Sequence, residues 1–332
     1  MDDLNIRKTG RAGRITFTRP KALNALSHPM ALAIQKALDS WRDDPDVALV
    51  IIDAEGDRAF CAGGDIAAVY HAGRAGDHKV GREFFRDEYR MNATIADYPK
   101  PIVAFMQGFV MGGGVGVGGH ASHRIVSDTT RIAMPESGIG LIPDVGGTWL
   151  LSRAPGRIGE YLALTGARMG PGDALHAGFA DLYIPETEWP ALMDEVQRTG
   201  DTACLSGHPA PASALADQDL SAFGGHDPAQ IMQSLPDGDD LATLQRNSPL
   251  SMAAGLAMVR AARGDRRIQQ SLAREYRFTA RATAESDFLE GVRAQIIDKD
   301  RSPNWTAAAT DDKVRAMLAP LPDDDLGWEE TE

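Results

Sequence analysis

At 332 residues the chain is long enough for one large domain, or a domain with a sizeable extension, and for a core of ordinary proportions. A formal net charge of −13, from 34 basic against 47 acidic side chains, argues against nonspecific binding to nucleic acid or an anionic membrane, while leaving room for an anionic small ligand that needs only a local basic patch. Two cysteines, Cys61 and Cys204, rule out a disulfide framework and any CxxC metal spacing and fit a reducing compartment.

The chain opens on MDDLNIRKTGRAG, which lacks the apolar stretch of a secretory signal, and its early aspartates argue against an uncleaved mitochondrial presequence. A cytoplasmic protein is expected, and a mature mitochondrial form is compatible with the same residues. No apolar run approaches the roughly 18 residues of a membrane span. Residues 14–18 (RITFT) alternate and predict the second arm of an N-terminal hairpin. Ser27 is placed to cap a helix whose apolar face is Met30, Ile34, Leu38 and Trp41. The runs 47–54 (VALVIIDA) and 100–108 (KPIVAFMQG) predict buried strands. The first leads to the loop FCAGGDI at 60–66, the second to the glycine tract Gly112, Gly113 and Gly114. RIVSD and RIAM predict two short strands, GTWLLSRAPG and GEYLALTG helices ending at glycine, and DALHAGFADLYIP a helix, a glycine stop and a strand. This rhythm of strand, strand, helix predicts an α/β architecture wound as stacked repeats. Pro, Gly, Ser and Asp crowd 206–240, predicting a connecting segment; helical patterns follow to about Phe288, and the acidic tail PLPDDDLGWEETE is expected to be poorly ordered.

Several residues carry chemistry or structure with equal ease. Glycine tracts after two buried strands, at Gly63–Gly64 and Gly112–Gly114, bare backbone N–H groups, and two such donors converging on one oxygen make an oxyanion hole. The same glycines serve tight helix–strand packing. Gly114, Gly116 and Gly119 spell GxGxxG, a weak dinucleotide signal this far into the chain, and no Gly-Lys-Ser/Thr follows to make a P-loop. Glu136 and Asp144 each sit beside proline or glycine rather than on a charged helical face; Glu136 reads as a catalytic carboxylate or a surface side chain, Asp144 as a catalytic partner or a helix cap. Cys61 has no histidine near it in sequence and fits a small buried hydrophobe; Asp65 fits a helix cap. His120 and His123, flanking the helix after the tract, lack a third metal ligand, and Lys21 is a surface lysine or a phosphate contact.

Together TRPKALNAL, FCAGGDI and GFVMGGGVG make the chain resemble the crotonase (enoyl-CoA hydratase/isomerase) superfamily over most of 10–185. The resemblance implies an α/β, crotonase-like spiral of ββα repeats holding an acyl-CoA thioester at two backbone N–H groups. By motif position those donors are the amides of Gly64 and Gly113. Lys21, Ala22 and Leu23 fall where the superfamily cradles the CoA adenine and phosphates, and Ala62 where it meets adenine and pantetheine. Hydratases of this kind use two glutamates; the first would fall on Gly116, which has no side chain to act as acid or base. FFRDEYRMN (84–92), AMPESGIGLIPDVGG (133–147) and DFLEGVRAQIIDKDRSPNW (287–305) are instead similar to the 3-hydroxyisobutyryl-CoA hydrolase family, which extends the match to nearly the whole chain. Ser137, threonine in some members, is a mild departure, and 186–240 matches poorly.

That resemblance implies thioester hydrolysis of a short β-hydroxyacyl-CoA in valine catabolism. It places the catalytic glutamate on Glu136, its companion on Asp144 and a substrate contact on Glu88. No metal or redox cofactor is implied, CoA being part of the substrate; the expected partners are that substrate and a homo-oligomeric copy, with neither nucleic acid nor membrane. The alternatives are a hydratase or isomerase of the same fold and a non-catalytic acyl-CoA-binding protein. The expected organisation is an acyl-CoA-binding core at 1–205, a connector at 206–240 and a C-terminal helical region with its tail at 241–332.

Overall fold

In the computed structural model, which describes residues 3–322 and 324–328, the predicted hairpin forms from β1 (Leu4–Thr9) and β2 (Ala12–Phe17), paired antiparallel. Seven strands follow: β3 (Leu49–Ala54), β4 (Ala59–Cys61), β5 (Ile102–Met106), β6 (Phe109–Met111), β7 (His123–Val126), β8 (Arg131–Ala133) and β9 (Leu182–Tyr183). From β3 onward, alternate strands go to alternate sheets. One sheet runs β1-β2-β3-β5-β7-β9 and the other β4-β6-β8, and every pair after the hairpin is parallel. Each turn of chain thus adds one strand to each sheet, which is the expected spiral. The strand expected over 100–108 is followed by a second, short one, β6, before the glycine tract. Gly108 makes the break: its φ is +57°, and a Cβ there would lie 2.2 Å from the Arg58 carbonyl oxygen.

The helices are α1 (His28–Arg42), α2 (Ala67–Arg74), α3 (Lys79–Ala96), α4 (Gly113–Gly118), α5 (Gly147–Arg153), α6 (Ile158–Thr165), α7 (Pro171–His176), α8 (Trp189–Thr199), α9 (Pro228–Ser234), α10 (Asp239–Arg246), α11 (Pro249–Ala262), α12 (Ile268–Glu285), α13 (Phe288–Val292) and α14 (Asp311–Leu318). The apolar face predicted for α1 is buried, with Ser27 at the N-cap position though making no side-chain cap bond. The segment expected as a connector contains α9 and the start of α10. Ile66 directly precedes α2, with Asp65 one residue ahead of it. His120 and His123 do not flank a helix: both follow α4, and His123 lies in β7.

Contacts group the described chain into two units, 1–64 with 90–133 and 168–218, and 65–89 with 134–167 and 219–332. The first unit holds both sheets. Its core is set by strand alternation: Leu49 and Ile51, Val103 and Phe105, and Ile125 meet Trp189, Met193 and Val196 of α8. The Trp189 ring lies 5.3 Å from Phe105, and its indole N–H, which would be costly to bury unpaired, donates to the Ile184 carbonyl at 2.9 Å. Each such large side chain contributes about 1.5–3 kcal/mol by burial.

The second unit is helical, and α11 is its central element, contacting α5, α6, α12 and α14. A helix buried on nearly all sides must be apolar on nearly all sides, and Leu250, Met252, Ala254, Leu256, Met258 and Val259 meet that requirement. The tail is more ordered than its composition predicts. Asp325 pairs with Arg277 at 2.8 Å, Asp324 pairs with Arg86, and Leu326 is buried; 329–332 lie outside the described residues. Burying Leu326 and pairing two aspartates with arginines offsets the ordering cost that the acidic sequence alone suggests is unmet.

Gly114 tests the packing of the tract. A Cβ there would sit 2.1 Å from the Cys61 carbonyl oxygen, on backbone that cannot turn away. Gly114→Ala should destabilise the protein by about 1–3 kcal/mol or more, read as a lowered urea midpoint; an unchanged midpoint would show that the two loops have room to part.

Candidate functional site

The glycine-bearing loops come together in the first unit because β4 and β6 are parallel neighbours and both loops leave from the same strand ends. A Cβ on Gly114 would strike Cys61, and one on Gly63 would lie 3.8 Å from the Met111 carbonyl oxygen, so 61–64 and 111–114 run alongside each other. Gly63 has φ +117° and Gly112 φ +46°, conformations that suit glycine. Gly113 opens α4, where the first N–H groups of a helix lack intrahelical acceptors. Gly116, inside α4, is buried and brings no carboxylate. Cys61 is fully buried, as a small hydrophobe would be.

Lys21, Ala22 and Leu23 belong to the same neighbourhood. Lys21 and Ala22 are exposed on a short 3-10 turn, and the Leu23 carbonyl accepts the Ala62 N–H at 3.0 Å. The Leu26 N–H donates to the Gly63 carbonyl at 2.9 Å. Leu23 and Asn24 both have positive φ, and the buried Asn24 holds this shape: its Nδ2 donates to the Glu55 and Ala59 carbonyls, and its Oδ1 accepts the Arg19 N–H. Asn24 is thus a structural residue of the site that motif reading passed over.

Glu88, Glu136 and Asp144 come together in the second unit, all buried. Glu136 starts a 3-10 turn after Pro135. Its Oε2 and the Glu88 Oε1 are buried and have no hydrogen-bond partner among the described residues. Such orphaned acceptors are costly in a protein interior, and they mark where a ligand's or solvent's donors would be received. Asp144 is not a helix cap; Gly146 takes that position before α5. The Asp144 carboxylate instead accepts the Tyr89 hydroxyl at 2.6 Å, with the Thr279 hydroxyl 3.2 Å from the same phenol. Another carboxylate, Glu275 of α12, accepts the Gly146 N–H at 2.7 Å, the Thr148 N–H at 3.0 Å and the Thr148 hydroxyl.

Tyr89, Thr279 and Glu275 were missed by sequence reading, although a signal existed. Glu275 and Thr279 continue the core-facing stripe of Ile268 and Leu272 along α12, positions where an apolar residue is the default. A fully buried glutamate in such a stripe needs dedicated partners.

The electrostatics follow from burial. Desolvation, then the Asp144 charge, holds the Glu136 carboxyl well above the usual carboxylate range, with smaller upward pushes from Glu275 and Glu88. Burial, then Asp144, does the same to Glu88. Burial raises Asp144 to about 7 against the opposing Tyr89 hydrogen bond, and raises Glu275 to about 7 against the bonds from Thr148 and Gly146. Groups this close share protons, and their titration belongs to the cluster. A carboxyl poised near neutrality serves as a general base or acid at working pH. Among the described residues no group of three His, Cys, Asp or Glu side chains is arranged to hold a metal ion.

Glu88 tests this balance through stability. With its folded-state pKa raised, the proton-bound form is favoured on folding, so its contribution is retained at low pH and lost as pH rises through and above the ordinary glutamate range. Glu88→Gln removes the ionisation, so the Tm of the variant minus that of the wild type should grow between about pH 5 and pH 8. A difference independent of pH would place the Glu88 carboxyl in a polar, solvated setting.

The family pattern described as "Enoyl-CoA hydratase/isomerase" matches residues 12–321. A Gallus gallus protein named "3-hydroxyisobutyryl-CoA hydrolase, mitochondrial" is 37% identical, the match spanning 98% of this chain and 90% of that one. An Arabidopsis thaliana protein named "3-hydroxyisobutyryl-CoA hydrolase 1" is 36% identical over 92% of this chain and 87% of that one. Among solved structures, one described as an enoyl-CoA hydratase from Rhodobacter sphaeroides 2.4.1 superposes with a TM-score of 0.94 at 53% identity, covering 98% of this chain and all of that one. Another, described as a carnitinyl-CoA dehydratase from Mycobacterium thermoresistibile, gives a TM-score of 0.92 at 40% identity over 99% of this chain and all of that one. Among the described residues no helix is long and apolar enough to cross a membrane. With its pattern matched over nearly the full length and its strands wound in the same spiral, the chain belongs to the enoyl-CoA hydratase/isomerase family.

Proposed function

We propose that this protein hydrolyses the thioester of 3-hydroxyisobutyryl-CoA, or a similar short β-hydroxyacyl-CoA, to CoA and the free hydroxy acid, a step suited to valine breakdown. The observation that carries the proposal is Glu136, a buried carboxyl with one unpartnered oxygen, in a chain whose α4 has Gly116 where a second catalytic glutamate would stand. One base suffices to activate one water, whereas the two-carboxylate route to hydration lacks a partner. The names of the Gallus gallus and Arabidopsis thaliana relatives support the same chemistry.

In this reading the amides of Gly64 and Gly113 bind the thioester oxygen and stabilise the tetrahedral oxyanion, while Lys21, Ala22, Leu23 and Ala62 receive the CoA moiety. Glu136 takes a proton from water as the water oxygen attacks the carbonyl carbon; the C–S bond then breaks and the proton passes to the departing thiolate. Direct attack by the Glu136 carboxylate, giving an anhydride that water later opens, balances equally well and uses the same group. Asp144, anchored by Tyr89, binds the β-hydroxyl, with Glu88 as a further substrate contact. A site built to hydrogen-bond a substrate hydroxyl disfavours an analogue without it by roughly 10⁴. No atom of this reaction comes from a cofactor beyond the CoA of the substrate.

A second reading is hydration of an enoyl-CoA, favoured by the description of the Rhodobacter sphaeroides structure. Free-thiol release measured on 3-hydroxyisobutyryl-CoA, isobutyryl-CoA and crotonyl-CoA separates the two. The expected result is rapid release confined to the hydroxyacyl substrate, falling by ~10²–10⁴ in Glu136→Gln. Loss of the crotonyl double-bond absorbance without thiol release would establish the hydratase instead. Because Glu136 must be ionised to accept a proton and burial holds it proton-bound, kcat/KM should rise with pH along an acid limb above the ordinary carboxylate range. A limb near pH 4 would remove Glu136 from the base role. Asp144→Asn should lower kcat/KM for the hydroxyacyl substrate far more than for isobutyryl-CoA; equal losses would argue against hydroxyl recognition.

A further inference from the structure

The turn carrying Asp144 has an uncommon backbone. The Asp144 carbonyl accepts the Gly147 N–H at 2.6 Å, and the two residues between, Val145 and Gly146, have φ of +54° and +78°. Both central residues of this reverse turn are therefore left-handed, the type I′ form that glycine and asparagine favour. A β-branched valine there is a genuine outlier and persists only where surrounding contacts over-determine it. Those contacts include the three hydrogen bonds accepted by Glu275, on the residues just after Val145.

We infer that Glu275 is a positioning residue for Asp144: from α12 it grips the amides of Gly146 and Thr148 and the Thr148 hydroxyl, and so holds the left-handed turn that presents Asp144 to Tyr89. The role assigned to Asp144 rests on the proposed hydrolase reading, whereas the grip on the turn does not. Glu275 is completely buried, and its oxygens are occupied by the turn, so it acts through Asp144 rather than on substrate.

The charged surroundings of Glu275 come from several elements. Asp144 in the turn raises its pKa, while Glu275 in turn raises those of Glu136 and of Tyr89 on α3, and Glu88 on α3 adds to the same acidic group. Several cations on the neighbouring surfaces are engaged elsewhere, while His71 and Arg74 lie on α2, which also packs against α12. Arg86 on α3 lies 5.5 Å from the Tyr276 ring centre and pairs with Asp324; on α12 Arg274 pairs with Asp265 and Arg277 with Asp325. On α5 Arg153 lies over the Trp149 ring, on α11 Arg260 pairs with Glu160, beyond α13 Arg293 pairs with Glu290, and on α14 Lys313 pairs with Glu285. Removing the Glu275 charge should therefore lower the Glu136 pKa.

The test compares Glu275→Gln and the milder Thr148→Val with the wild type in two measurements. Kinetically, the preference for 3-hydroxyisobutyryl-CoA over isobutyryl-CoA, as the ratio of kcat/KM values, should fall roughly 10-fold or more in Glu275→Gln and less in Thr148→Val. The acid limb of the kcat/KM profile should move to lower pH in Glu275→Gln. A helix-capping role alone would lower Tm and slow both substrates alike with the limb in place, so that pattern overturns the inference, as does an unchanged ratio with an unchanged limb. Independently of activity, hydrogen exchange followed by mass spectrometry should show the 144–148 amides exchanging roughly 10-fold faster or more in the full-length variants, as expected when buried N–H groups lose their acceptor; unaltered exchange also overturns it. Asp144→Asn, run alongside, separates the two ideas. If it too retains the wild-type preference, or if the wild type releases no thiol, the reading of Asp144 has failed, and the grip of Glu275 is decided by the 144–148 exchange alone.

Discussion

The hydrogen bond from the Tyr89 hydroxyl to Asp144, at 2.6 Å, joins three parts of the chain that are far apart in sequence. Tyr89 comes from α3, Asp144 from the turn before α5, and Thr279, at the same phenol, from α12. The phenol is fully buried and its pKa is held well above the usual tyrosine range by burial and by the neighbouring carboxyls, so it stays a donor at any working pH. That constancy fixes which oxygen of Asp144 is occupied. The carboxyls around it compete for protons in a desolvated setting, and Glu136 and Glu88 each keep one oxygen, Oε2 and Oε1, unpartnered among the described residues.

The sheets solve a different problem. Backbone amides that bind an oxyanion must be rigid, bare and close together, and side chains cannot supply that combination. Parallel pairing of β4 with β6 brings two strand ends side by side, and glycine at Gly63, Gly112 and Gly114 lets the following loops approach to the limit set by backbone atoms. The hydrogen bonds between 23–26 and 62–63, secured by Asn24, then tie the exposed Lys21 turn to the same loop. One short stretch of structure thereby joins an exposed lysine with the glycine-bearing loop.

Within one family the same spiral serves addition of water to a double bond and cleavage of a thioester. Gly116 leaves α4 without a carboxylate at that position. Around Glu136 stand a buried tyrosine, a second glutamate and a left-handed turn gripped by Glu275. These groups cost stability through buried acids and a strained valine, and a cost of that kind is commonly found where a site demands it.

Much of this was legible in the residues themselves. Period-2 alternation at 14–18 and the β-branched runs at 47–54 and 100–108 determined strands, because side chains of a strand sort to two faces whatever the partner. Helical spacing at Met30, Ile34, Leu38 and Trp41 determined the buried face of α1. The glycine tracts and the motif positions of Glu88, Glu136 and Asp144 determined the candidate groups, since their chemistry is local. Tertiary structure alone decided the rest. It inserted β6 after Gly108, ordered Asp324, Asp325 and Leu326 in a tail whose composition suggested disorder, and divided the chain into two units. It also made Asp144 a hydrogen-bond acceptor for Tyr89 instead of a helix cap, and gave Glu275 its partners 127 and 129 residues away. The physical reason is the same in each case. Periodicity and backbone freedom are properties of neighbouring residues, whereas a buried polar group is defined by whichever distant atoms satisfy it.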